Sequence, residues 1–155
     1  MSDSIDQIAD WAIPLLDRLT PAARKIAMAE VAVYLRRSQA ERIASQRNPD
    51  GSPYEPRRPR ASLATSKGRI RRGMFMGLRK VQNLQRKATS DTATVSVNQR
   101  ALRVARVHQF GGRDKVDWRN PRSPTVRYAR RELLGFTEAD LDAVADILIR
   151  HANPD

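Results

Sequence analysis

Cysteine is absent from the 155 residues and histidine occurs only twice. The first absence removes thiol nucleophiles, zinc-thiolate sites and disulfide staples together, and it fits a reducing compartment. The second leaves metal binding and general-base chemistry to His108 and His151, which stand 43 residues apart with no further ligand at the usual spacing. No uninterrupted apolar run approaches membrane-spanning length, and the opening "MSDSIDQIADWAIPLLDRL" is acidic and amphipathic rather than a signal peptide. There is no G-x-S-x-G elbow, no P-loop and no G-x-G-x-x-G. The acids of the chain's middle (Asp50, Glu55, Asp91, Asp114, Asp117 and Glu132) are scattered without the pairing a glycosidase needs. These absences predict a soluble, intracellular protein that is not an enzyme and uses no metal or cofactor.

What the chain has is positive charge, unevenly placed. Residues 1–46 carry six Lys/Arg against six Asp/Glu, and residues 137–155 carry one against five. The ninety residues between them therefore hold 22 basic and six acidic side chains, a local net of +16 within a total of +12. A block this dense predicts a polyanionic neighbour or a partner with an acidic face, with a merely solvated surface as the plainer alternative.

The length suits one domain, 1–155, with four parts. In 1–46, Ser4 and Gln7 form a capping-box signature before Ile5, Ile8, Ala12, Leu15, Leu16 and Leu19, and Pro14 predicts a kink or break near Ala12 and Ile13. Thr20-Pro21 opens a second helix through Ile26, Ala29, Val33 and Leu35 to about Ile43, so this part reads as a helical hairpin or bent helix. Residues 47–67, rich in Pro and Arg and without an apolar period, read as an extended arm that starts with a type I turn at Asn48-Pro49-Asp50-Gly51.

In the α/β body, 68–136, "GMFMGLRKV" predicts a short helix over 73–81, and "NLQRKATSDTATVSVN" a hairpin turning near Ser90-Asp91. The run "RALRVARVHQFGG" fits both helix and strand spacing; the adjacent glycines favour a short helix that ends at them. "TVRYARREL" predicts a strand, and Thr137 with Asp140 caps a last helix, 137–152, striped by Leu141, Val144, Ala145 and Leu148. The fold class is α+β, with a small mostly antiparallel sheet, an N-terminal helical hairpin, the Arg/Pro-rich arm and a C-terminal helix. His108 has neither nucleophile nor orienting acid at a recognisable spacing. It is expected to pack its ring and make one hydrogen bond, with Gly111-Gly112 supplying positive φ.

Four blocks carry a resemblance. "LRRSQAERIASQRNPDGSPYEPR", "RRGMFMGLRK", "VARVHQFG" and "RYARRELLGF", in that order over about residues 35–150, resemble the phage tail completion, or virion morphogenesis, proteins of contractile-tailed phages. Ala129 and Glu132 depart from the pattern, standing where prolines are expected. The resemblance implies an α+β structural protein of the virion neck, built in the host cytoplasm. It would work as a ring, commonly six-fold, at the head-proximal end of the tail, where it is needed for head-tail joining. Its partners would be copies of itself and other neck, tail-terminator and head-completion proteins, with possible contact to DNA in the channel and none to membrane. The family brings no catalytic residues.

Within that role, Pro49, Asp50, Gly51, Tyr54, Arg57, Arg58 and Arg60 are candidates for contact with a neighbouring subunit, because proline holds the arm extended and arginine forks pair with carboxylates. Lys67, Arg69, Arg71 and Arg72 are candidates to face a channel or its DNA. His108, Gln109, Phe110, Gly111, Arg131, Leu133, Leu134, Gly135 and Phe136 form the structural motif. A sequence-nonspecific nucleic-acid-binding module is the alternative reading; it accounts for the charge but not for the four blocks.

Overall fold

The computed structural model describes residues 10–57 and 73–153. The elements run α1 (residues 10–16), α2 (Pro21–Ala44), β1 (Leu84–Ala88), β2 (Ala93–Val97), α3 (Gln99–Phe110), β3 (Gly112–Lys115), β4 (Thr125–Tyr128) and α4 (Glu138–Ala152). The α+β class holds, but the strands form two separate two-stranded ribbons, β1-β2 and β3-β4, rather than one sheet.

Local chemistry explains most element ends. Thr20 Oγ1 accepts from the Ala23 amide at 3.2 Å, and Pro21 occupies the first turn, where its missing N–H costs nothing. Asn98 caps α3 by accepting from Ala101, and Gly111, at φ 71°, ends it in a conformation that glycine adopts freely. Thr137 and Asp140 form a reciprocal capping box at the start of α4. Thr89 and Thr92 close the β1-β2 turn through backbone and hydroxyl contacts.

Three expectations need correction. The helix 10–16 continues through Ala12 and Ile13 without a break, and the Asp17 amide still reaches the Ile13 carbonyl at 3.0 Å; the Ser4–Gln7 cap lies outside the described residues. Residues 73–81 make successive turns and no helix, with Phe75 at φ 62°. The strand expected over 125–133 stops at Tyr128, for a reason given below.

The chain divides into two compact units. Among the described residues the first comprises 10–38, 84–96 and 136–153, the second 39–57, 73–83 and 97–135. In the first, Ala27, Met28, Val31 and Leu35 of α2 join Ala12 and the α4 residues Ile147 and Leu148 in one core, with Ala88, Ala93 and Val95 of the hairpin against it. The buried stripe of α2 is thus shifted from the expected one: Ile26 and Val33 are exposed. Glu30 ties α2 to α4, accepting from Arg150 at 2.5 Å and lying 2.7 Å from His151 Nε2; the Arg150 bond above all lowers the carboxyl's pKa.

In the second unit Ile43, Tyr54, Leu78, Ala105 and Leu133 form the core, with Met74, Phe75, Val97 and Ala101 packed on it. Both cores use α2, which supplies Leu35 to one and Ile43 to the other.

Candidate functional site

Of the motif residues, all but Phe136, which packs against the first core, belong to the second unit. His108 lies in the last turn of α3, its ring held edge-on by Phe75 at 4.7 Å and Tyr128 at 5.1 Å between centroids. Its Nδ1 is 3.1 Å from Arg131 Nη1. A guanidinium only donates, so Nδ1 accepts and the imidazole is neutral. Burial, reinforced by the Arg131 charge, pushes the His108 pKa down to about 4. Oriented by a cation rather than a carboxylate, this ring is a poor base.

Arg131 is itself buried. Its guanidinium donates to the carbonyls of Glu55 at 2.7 Å and Pro56 at 3.1 Å, and its amide donates to the His108 carbonyl at 2.6 Å. The arginine therefore pins the beginning of the expected arm to α3.

Residues 131–135 have no strand partner, yet every amide among them is satisfied. Arg131 uses the His108 carbonyl, Glu132 uses Asn48 Oδ1 at 2.9 Å, Leu133 and Leu134 share Gln109 Oε1 at 2.8 and 2.9 Å, and Gly135 uses Gln39 Oε1 at 3.1 Å. The carbonyls are served likewise: Arg42 donates to Glu132 and Leu133, Gln109 Nε2 to Leu134 at 2.8 Å, and Gln39 Nε2 to Gly135 at 2.8 Å.

A side-chain amide has the donor and acceptor of a peptide unit, and here it replaces a neighbouring strand. Gln109 does this for Leu134 and Gln39 for Gly135. Gln46 does it for Met74, accepting from its N–H at 2.6 Å and donating to its C=O at 2.8 Å. This is why the strand predicted over 125–133 ends early: the Arg131 amide turns to the His108 carbonyl, and the amides of Glu132 and Leu133 are taken by side chains.

The candidate interface residues divide. Pro49 is buried and lies against Gly135, where an added Cβ would come within 2.5 Å of Pro49 Cγ. Tyr54 is 4% exposed; its hydroxyl reaches the Glu132 carbonyl at 3.4 Å and burial raises its pKa. Both serve the unit's interior. Asp50, Gly51 and Arg57 are exposed. Residues 48–51 do turn, with the Gly51 amide on the Asn48 carbonyl at 3.0 Å and Gly51 at φ 83°; Ser52 donates to Asp50 and so lowers its pKa. Arg58, Arg60, Lys67, Arg69, Arg71 and Arg72 lie outside the described residues. Phe110 is 72% exposed and beside an open groove of α3 and β3, so it stands apart from the rest of its motif.

Sequence reasoning missed Gln39, Arg42, Gln46 and Asn48. For Gln39 and Arg42 the available signal was helical spacing from Leu35; Gln46 and Asn48 lie beyond the end of α2 and had none of that kind. Among the described residues no group of three or more His, Asp or Glu could hold a metal, and no helix is long and apolar enough to cross a membrane.

Residues 3–153 match the phage virion morphogenesis family. The chain belongs to that family. Tail completion protein S of Escherichia phage P2 is 33% identical over 138 residues, which cover 88% of this chain and 89% of that protein. No solved structure matches. In this member of the virion morphogenesis family, the blocks "NPDGSPYEP", "VHQFG" and "RRELLGF" are accounted for as parts of one folding device, in which Asn48, Tyr54, His108, Gln109 and Arg131 secure irregular backbone.

Proposed function

We propose that the protein is a structural tail-completion component of a phage virion, assembling as a ring at the head-proximal end of the tail and required for head-tail joining. The carrying observation is the extent of the family match, residues 3–153, which leaves almost nothing of the chain outside the shared architecture. The interior supports a structural role: of the most distinctive residues, Gln109 and Arg131 are consumed by backbone contacts, and His108 by ring packing and the Arg131 guanidinium.

In this reading Arg57, Arg58 and Arg60 meet acidic groups of the neighbouring subunit, while Lys67, Arg69, Arg71 and Arg72 face the channel. The test pairs sedimentation with complementation of a phage lacking the gene. Arg57→Glu with Arg58→Glu should abolish the oligomer and leave heads and tails unjoined, since like charge across an interface costs several kcal/mol. Arg71→Glu with Arg72→Glu should leave the oligomer intact. Wild-type assembly by the first variant, or loss of assembly in the second, would reverse the assignment; failure of the wild-type gene to restore joined particles would sink the function itself.

A further inference from the structure

The β3-β4 ribbon carries a feature that its fold does not need. Its antiparallel register pairs Gly112 with Tyr128, Arg113 with Arg127, Asp114 with Val126 and Lys115 with Thr125. Side chains alternate across a ribbon, so one face presents Arg113, Lys115, Thr125 and Arg127. The two arginines are directly opposite each other, both exposed, and neither guanidinium has a hydrogen-bond or ion-pair partner among the described residues. Like charges so placed destabilise a pair of strands, and a two-stranded ribbon has no third strand to compensate.

The surroundings are cationic too. Arg119 and Arg122 are exposed on the connection between the strands, where Arg119 lies 5.5 Å from the centre of the exposed Trp118 ring. Of the nearest acids, Asp114 is already engaged by Arg103, which lowers its pKa and removes it as a counter-charge.

We propose that this ribbon face is a sequence-independent contact for the phosphate backbone of duplex nucleic acid. An acidic protein is the less suitable partner, because protein interfaces need apolar or aromatic anchors at their centre, and the centre of this face is Arg113, Lys115, Thr125 and Arg127, with the exposed Trp118 only on the connection. A phosphate lattice asks only for spaced cations, and a two-stranded ribbon is narrow enough to follow a DNA groove. Bound phosphates would neutralise the Arg113–Arg127 repulsion. The inference rests on the tail-completion reading only for where the duplex is met. Binding is measured on the purified chain, so its failure and the failure of particle joining are separate results.

The experiment is fluorescence anisotropy of the full chain with a short DNA duplex of random sequence, titrated over salt. Arg113→Gln with Arg127→Gln should flatten the salt dependence by about two counterions, so that between about 50 and 200 mM salt the wild type loses about ten-fold more affinity than the variant. The melting temperature of that variant should equal or exceed that of the wild type, which separates lost binding from lost folding. Arg86→Gln with Lys87→Gln on β1, the same change in net charge at exposed positions, serves as the control and should keep the wild-type slope. An equal fall in both variants would mean that attraction is spread over the whole surface, and no duplex binding at low salt would mean there is no such site. Binding of polyglutamate in place of duplex would assign the face to an acidic protein. Each of these three results overturns the proposal.

Discussion

His108 shows how a single residue is set by its neighbours. Burial disfavours its cation, so the folded pKa, about 4, is below the ordinary 6.5. As pH falls through 6.5 the unfolded chain takes up a proton that the folded chain refuses. The stability from the neutral ring is therefore whole above about 6.5 and drains away toward 4, by on the order of 1–2 kcal/mol once its partial exposure is allowed for. Urea midpoints at about pH 7 and pH 5 should show this slope, and His108→Gln should remove most of it. Gln109→Met would strand the amides of Leu133 and Leu134 together with the Leu134 carbonyl, a loss of about 2–4 kcal/mol by the same measurement. From sequence, His108 was legible as structural because no catalytic partner stood near it. Its ring neighbours were not, since Phe75 and Tyr128 come from distant segments.

Whole elements were legible where their signals are local. The Thr20-Pro21 start of α2, the hairpin turn near Ser90-Asp91 and the Thr137/Asp140 box of α4 are each written within a few residues, and each forms as read. Thr137→Ala should cost about 1 kcal/mol, read as a lower thermal midpoint with loss of helical signal. Over 73–81 and 129–133 the sequence misled, because helical and strand spacing describe side chains facing a core and do not report that Gln46 takes the backbone groups of Met74, or Gln109 the amide of Leu133. In α2 the apolar stripe was partly misplaced: Leu35 and Ile43 are buried as read, but Ile26 and Val33 are exposed while the smaller Ala27 and Ala32 are buried.

At the scale of the molecule, net charge was legible and its arrangement was not. A chain at +12 repels itself when compact, and ion pairs among the described residues, such as Arg150–Glu30 and Arg24–Asp17, are partly exposed and individually weak. Moderate salt should therefore raise the melting temperature in calorimetry; a fall would show that the local pairs outweigh the general repulsion. The division into two compact units was also hidden, since each gathers separated stretches of chain and α2 passes from one to the other without a change in composition that marks the boundary.

The glutamine contacts around residues 131–135 bear on how the chain can change length. A strand paired through its backbone can slip by two residues and recover an equivalent set of bonds, because its partner repeats. Gln39, Asn48 and Gln109 do not repeat; each addresses particular atoms from its own place in the fold. One residue inserted or deleted between 129 and 135 would put every donor opposite the wrong acceptor at once. The connection between β3 and β4, exposed over most of its length, makes its side-chain contacts within itself and Lys115, such as Asp117 N–H to Ser123 Oγ, and should accept additional residues more readily. Insertions and deletions would then be excluded from the stretch that looks least regular and admitted in the loop of an ordered hairpin.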